Sequence, residues 1–108
     1  MILSKADGTC PAHFAWLNKQ GVKSSEGYTL QCMHRFYYHY IEGDRCMQVN
    51  IEPCFDKQGK HSLTIYTNSL TRWLPPYDQE SLPRARIDQI QQRLSAAMTF
   101  MGIAHDFE

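Results

Sequence analysis

The segment "CMHRFYYHYIEGDRCMQVNIEPCF", residues 32–55, gathers side chains able to do chemistry: Cys32, His34, His39, Cys46 and Cys54. A zinc site needs about four Cys, His or carboxylate ligands converging, usually with close-spaced pairs such as C-x2-C. The pair offered here is Cys32-x-His34. A cysteine nucleophile needs a base in reach and a third group orienting that base, and His39 with Cys46 is the constellation that comes nearest. Nothing completes it: no G-x-S-x-G and no glycine-rich strand-to-helix turn supplies an oxyanion hole. Gly8, Gly21, Gly27, Gly43, Gly59 and Gly102 stand singly, as turns and caps require, and form no phosphate loop.

Whether these groups can converge depends on the elements that carry them. "IEGDR" interrupts two runs rich in aromatic and β-branched residues, and Gly43-Asp44 predicts a two-residue hairpin turn. That turn fixes the register. Tyr40 faces Met47, Tyr38 faces Val49 and Phe36 faces Ile51 on a core side, because successive strand residues alternate between faces. On the other side Ile41 meets Cys46, His39 meets Gln48, Tyr37 meets Asn50, and Arg35 meets Glu52 as an opposite-charge pair. Cys32 and His34 then share one face while Cys46 and Cys54 point to the other. This parity argues against a common metal site and against a Cys32–Cys54 disulfide.

Further elements follow from pattern. Pro11, the helical spacing of Phe14, Trp16 and Leu17, and Gly21 as a cap predict a short first helix. "KSSEG" reads as a loop and the sheet begins after it. "SLTIYT" predicts a third strand, with Leu63 and Ile65 inside and Ser62, Thr64 and Tyr66 outside. "TRWLPPYDQES" is a rigid proline loop flanked by Trp73 and Tyr77. From Pro83 to Met101, Ile87, Ile90, Leu94, Ala97, Met98 and Met101 recur at three- and four-residue intervals. They predict a long amphipathic helix, opened by Ser81 or Asp78 and closed by Gly102. "IAHDFE" alternates as a short edge strand.

The expected fold is a single α+β domain over residues 1–108. It has two layers, with a three- to four-stranded antiparallel meander covered on one face by a short N-terminal helix and a long C-terminal one. Its other sheet face is expected to be wet.

Composition narrows the function classes. Lysine plus arginine equals aspartate plus glutamate at 11 each, so no global field draws in nucleic acid or an anionic membrane. The start "MILSKADGTCPAHF" lacks the apolar run of a secretory signal. A cytoplasmic protein with Cys10, Cys32, Cys46 and Cys54 as reduced thiols is expected. No metal and no cofactor is expected. Tyrosine, tryptophan and arginine are the usual anchors of protein interfaces, so the candidate partner-binding residues are Arg35, Tyr37, His39, Asn50, Glu52, Tyr66, Trp73 and Tyr77.

The stretches "FYYHYIEGDRCMQVNIEP", "LTIYTNSLTRWLPPY" and "RIDQIQQRLSAAMTFMG" resemble the two strands, W-x-P loop and amphipathic helix of small bacterial immunity proteins. These belong to contact-dependent inhibition and related polymorphic toxin systems. The resemblance implies a cytoplasmic antidote that binds the C-terminal domain of one cognate toxin and blocks its active site or substrate access, without catalysis of its own. It assigns no residue a role, since such families share no fixed binding site. A small secretion chaperone or adaptor is the alternative binder. A thiol- or metal-dependent enzyme, or an RNA-binding domain stacking bases on Tyr37, Tyr66 and His39 beside Arg35, is the alternative of another class.

Overall fold

The computed structural model describes residues 13–108. Among them the elements run β1 (Phe14–Asn18), β2 (Gly21–Ser24), β3 (Thr29–His34), β4 (Tyr37–Glu42), β5 (Arg45–Phe55), β6 (His61–Ile65), a 3-10 turn (Thr67–Thr71), α1 (Arg84–Phe100) and β7 (His105–Phe107). The strands form one seven-stranded sheet in chain order. Neighbours from β1 to β6 are antiparallel, and β7 lies parallel to β6. The long crossover through α1 permits that parallel pairing, which no tight turn could make.

This overturns the expected three- to four-stranded sheet with an N-terminal helix. Phe14 and Trp16 are two apart, not three or four, and as strand neighbours they fall on one face. Phe14 stacks on Phe100 with ring centroids at 5.2 Å, and Trp16 lies 5.7 Å from the same ring. Leu17, which completes the helical spacing, is 53% exposed. Gly21 is no helix cap. It sits in β2 opposite Gln31, where a Cβ would stand 2.0 Å from the Gln31 amide oxygen. Pro11 and Cys10 lie outside the described residues.

The second departure is β3. The segment before Tyr37 turns back at Arg35-Phe36 with no Gly, Pro, Asn or Asp to mark it, and the Phe36 amide donates to His34 Nδ1 at 3.2 Å. The imidazole does what an Asn or Asp carbonyl does in other turns. Phe36 consequently leaves the core and is 49% exposed, although its carbonyl still accepts the Ile51 amide at 3.0 Å. Arg35 leaves Glu52 as well. Its guanidinium lies over the Phe36 ring at 5.6 Å, and the expected ion pair is absent among the described residues.

From Tyr37 onward the hairpin register is as derived: Tyr37 pairs with Asn50, Tyr38 with Val49, His39 with Gln48, Tyr40 with Met47 and Ile41 with Cys46. Gly43 takes φ +59° in the turn, a conformation cheap for glycine alone. On the inner face Val22, Leu30, Tyr40 and Met47 line up in register across four strands, each 0–1% exposed. Ile90, Leu94, Ala97 and Met98 of α1, all fully buried, close over the core. Burying each such side chain is worth about 1.5–3 kcal/mol, so this layer is the main source of stability.

The ends of α1 are set by backbone. Pro83 occupies the N-cap position with no side-chain cap, so neither Ser81 nor Asp78 fills that role. Gly102 at φ +78° reverses the chain, and the Ile103 amide returns to the Met98 carbonyl at 2.9 Å. This is the glycine-terminated helix end that feeds β7. Arg86 and Arg93 of α1 reach Glu42 at the end of β4.

Candidate partner-binding surface

The outer face of β3, β4 and β5 carries Gln31, His39 and Gln48 in one register row and Tyr37 with Asn50 in the next. Tyr37 and His39 stand ring to ring at 5.7 Å. Gln48 donates to the Asn50 side chain at 3.2 Å. Tyr66, just past β6, donates its amide to the Asn50 carbonyl at 3.0 Å and its hydroxyl to the Glu52 carboxylate. That hydrogen bond is the first cause holding the Tyr66 phenol above its ordinary pKa. Tyr37, His39, Asn50, Glu52 and Tyr66 are therefore brought together on one surface, half-buried or exposed. Arg35 stands at its corner, exposed in the β3–β4 turn.

Two expected members are elsewhere. Trp73 is only 3% exposed, stacked on Tyr40 with centroids 6.3 Å apart, with the Arg86 guanidinium 6.0 Å from its ring. It plugs the loop against sheet and helix and displays nothing to a partner. Tyr77 lies at the opposite end of the β4–β5 hairpin, where its hydroxyl donates to Asp44 and Arg45 covers its ring at 4.2 Å. The Tyr77 hydrogen bond is the main cause of the lowered Asp44 pKa.

Sequence patterning also missed a charged cluster where the hairpin meets α1. Glu42 accepts from the Tyr40 hydroxyl, from Arg86, and from Arg93 at 2.9 Å. Burial pushes its carboxyl up, but the Tyr40 hydroxyl and the two guanidiniums outweigh burial and hold it below the usual carboxylate range. Arg45 and Glu80 close the neighbouring pair at 2.6 Å. Glu42, Arg45, Trp73, Glu80 and Arg86 line a cleft of about 450 Å³, and its charged groups are already matched to one another. The signal available in the sequence was a glutamate at a hairpin end and two arginines seven apart, two turns, on one helix.

Thiol chemistry finds no support in the geometry. Cys46 faces outward opposite Ile41, and burial pushes its thiol up, which lowers the thiolate fraction that a nucleophile needs. Cys32 donates to the His34 carbonyl at 3.6 Å while the His34 ring stacks on Tyr37 at 5.4 Å. Cys54 lies against the Thr64 hydroxyl at 3.6 Å. Among the described residues no three of His, Cys, Asp and Glu form a set able to hold a metal. No helix there is long and apolar enough to cross a membrane.

The family model for immunity protein 74 matches residues 33–108, from the end of β3 through β7. The chain belongs to the immunity protein 74 family. No curated protein and no solved structure matches it. The match takes in the whole β4–β5 hairpin, Trp73 and α1, and it excludes β1, β2 and most of β3. An immunity protein acts by binding its toxin, so an antitoxin role follows from membership. The outer face of β4 and β5 and the β3–β4 turn both lie within the matched segment.

Proposed function

We propose that this immunity protein neutralises one cognate toxin domain by occluding its active site or substrate path, with the outer face of β4 and β5 as the docking surface. The observation that carries the reading is that α1 buries Ile90, Leu94, Ala97 and Met98 against one side of the sheet while Tyr37, His39, Asn50 and Tyr66 on the other side stay half-buried or exposed. Tyr66, held by its hydrogen bond to Glu52, and Tyr37, stacked against His34 and His39, lose little freedom on docking, which favours affinity. The toxin is one delivered by contact-dependent inhibition or a related polymorphic system, and the antidote meets it in the cytoplasm. Free thiols at Cys32, Cys46 and Cys54 fit that reducing compartment.

Neutralisation without chemistry is consistent with the raised Cys46 thiol and with the matched charges of the Glu42–Arg86 cleft. The test is protection. Cells expressing the toxin domain encoded beside this chain should survive when the wild-type chain is co-expressed, and should die when Tyr37→Ala and Tyr66→Ala are combined. Equal protection by the double variant, at equal protein level, would remove the outer face from the account.

A further inference from the structure

The β3–β4 turn joins the outer face to a second, chemically different surface on the helix side of the sheet. α1 packs on another part of that side and leaves uncovered the end formed by the neighbouring strands β3, β4, β5 and β6. There a hollow of about 250 Å³ opens, and no α1 residue lines it. Its floor is apolar: Tyr38, Ile51 and Leu63 each keep 5% of their surface exposed. Its rim is polar, formed by His34, Arg35 and His61, with the positive charge on Arg35.

The volume lies below the roughly 300–1,000 Å³ of small-molecule sites and suits one or two anchoring side chains of a protein partner. The flanks extend the apolar area. Phe55, 72% exposed, sets its ring edge-on to His61 at 5.7 Å, and Phe36 lies against both His34 and Arg35. Large apolar side chains left exposed around an apolar hollow mark an interaction site more than scattered ones do.

Charge selects the occupant. Among the described residues Arg35 pairs with no carboxylate. Lys57 and Lys60 sit exposed on the β5–β6 turn at the same end. Asp56, the acid beside them, is turned onto its own loop, accepting the Gln58 and Lys60 amides at 2.9 and 2.8 Å. The chain as a whole is neutral, so this positive end is a local feature and not a global field.

We infer that this hollow receives an acidic segment of the cognate toxin, an apolar side chain entering over Tyr38, Ile51 and Leu63 and an adjacent carboxylate pairing with Arg35. The inference rests on the immunity reading and names the partner chemistry. The toxin wraps the β3–β4 turn, touching Tyr37 on one side and the hollow on the other. Arg35 gives orientation and on-rate, and the apolar contact slows release.

The test is calorimetric titration with the purified, catalytically inactivated toxin domain encoded beside this chain, at 50 and 300 mM NaCl. Arg35→Glu should weaken binding about 100-fold, the loss expected when a buried interfacial charge pair becomes a repulsion. Phe55→Ala should weaken it about tenfold. Both variants should melt like wild type, because both side chains are exposed, and the Arg35→Glu complex should lose most of the wild-type salt dependence. Wild-type binding with both variants unchanged overturns this inference and leaves the immunity reading standing. A wild-type chain that does not bind the domain overturns both. Arg35-dependent displacement of the toxin by a single-stranded 20-mer oligonucleotide would assign Arg35 to nucleic acid and overturn the inference as well.

Discussion

Glu42→Gln is the perturbation whose consequence the structure specifies most closely. The Glu42 side chain is 17% exposed, and those of its partners Arg86 and Arg93 are 28% and 20% exposed. Removing the negative charge leaves two guanidiniums facing one neutral amide beside a fully buried Tyr40. Breaking one side of a fully buried ion pair costs about 3–5 kcal/mol. Partial exposure lets water replace some of that interaction, which brings the expected loss to about 2–3 kcal/mol. For a domain of this size about 1 kcal/mol moves Tm by about 4–8 °C, so a fall of roughly 10–20 °C is expected by circular dichroism. Glu42 titrates lower in the folded state than unfolded, so its contribution is fully present above the unfolded carboxylate value of about 4.3 and is lost as pH falls through the depressed folded value. The gap between wild type and Glu42→Gln should therefore be constant from pH 8 to 6 and close progressively under acid. A loss under about 0.5 kcal/mol, the level of an ordinary surface substitution, or a gap as wide at pH 3 as at pH 7, would refute the reasoning.

Trp73→Ala should cost about 3–5 kcal/mol in urea denaturation, and the molecules that remain folded should bind toxin with unchanged affinity; a binding loss without a stability loss would restore Trp73 as a surface anchor. Gly43→Ala should cost about 1 kcal/mol from backbone strain alone, since φ is +59° and no atom stands within 4 Å of the added methyl. Cys46→Ser should protect cells as fully as wild type, whereas a loss of protection at unchanged stability would revive thiol chemistry.

The hairpin and the long helix were readable because their signals are local and redundant. Gly43-Asp44 fixes one turn, alternation on both flanks fixes the faces, and Ile90, Leu94, Ala97 and Met98 fix a helical stripe. The N-terminal strands were not readable. Phe14, Trp16 and Leu17 satisfy either period over so short a run, and tertiary packing on Phe100 decides between them. The turn at Arg35-Phe36 hides because a histidine side chain, and not a turn residue, closes it. Of the candidate surface, parity alone places Tyr37, His39, Asn50 and Glu52 together. Separating Trp73 from them needs the layer order, since a tryptophan beside two prolines reads equally as display or plug. Glu42 with Arg86 and Arg93 joins residues more than forty positions apart, a contact that no local pattern encodes.

The central claim is inhibition by direct binding through the sheet's outer face. It is tested most directly by titrating the purified, active toxin domain encoded beside this chain with wild type and with the Tyr37→Ala, Tyr66→Ala double variant, following toxin activity. The account predicts that one equivalent of wild type abolishes activity, and that the double variant, compared at equal folded concentration, requires at least tenfold more. Full activity in the presence of excess wild-type chain, or equal inhibition by both proteins, would contradict it.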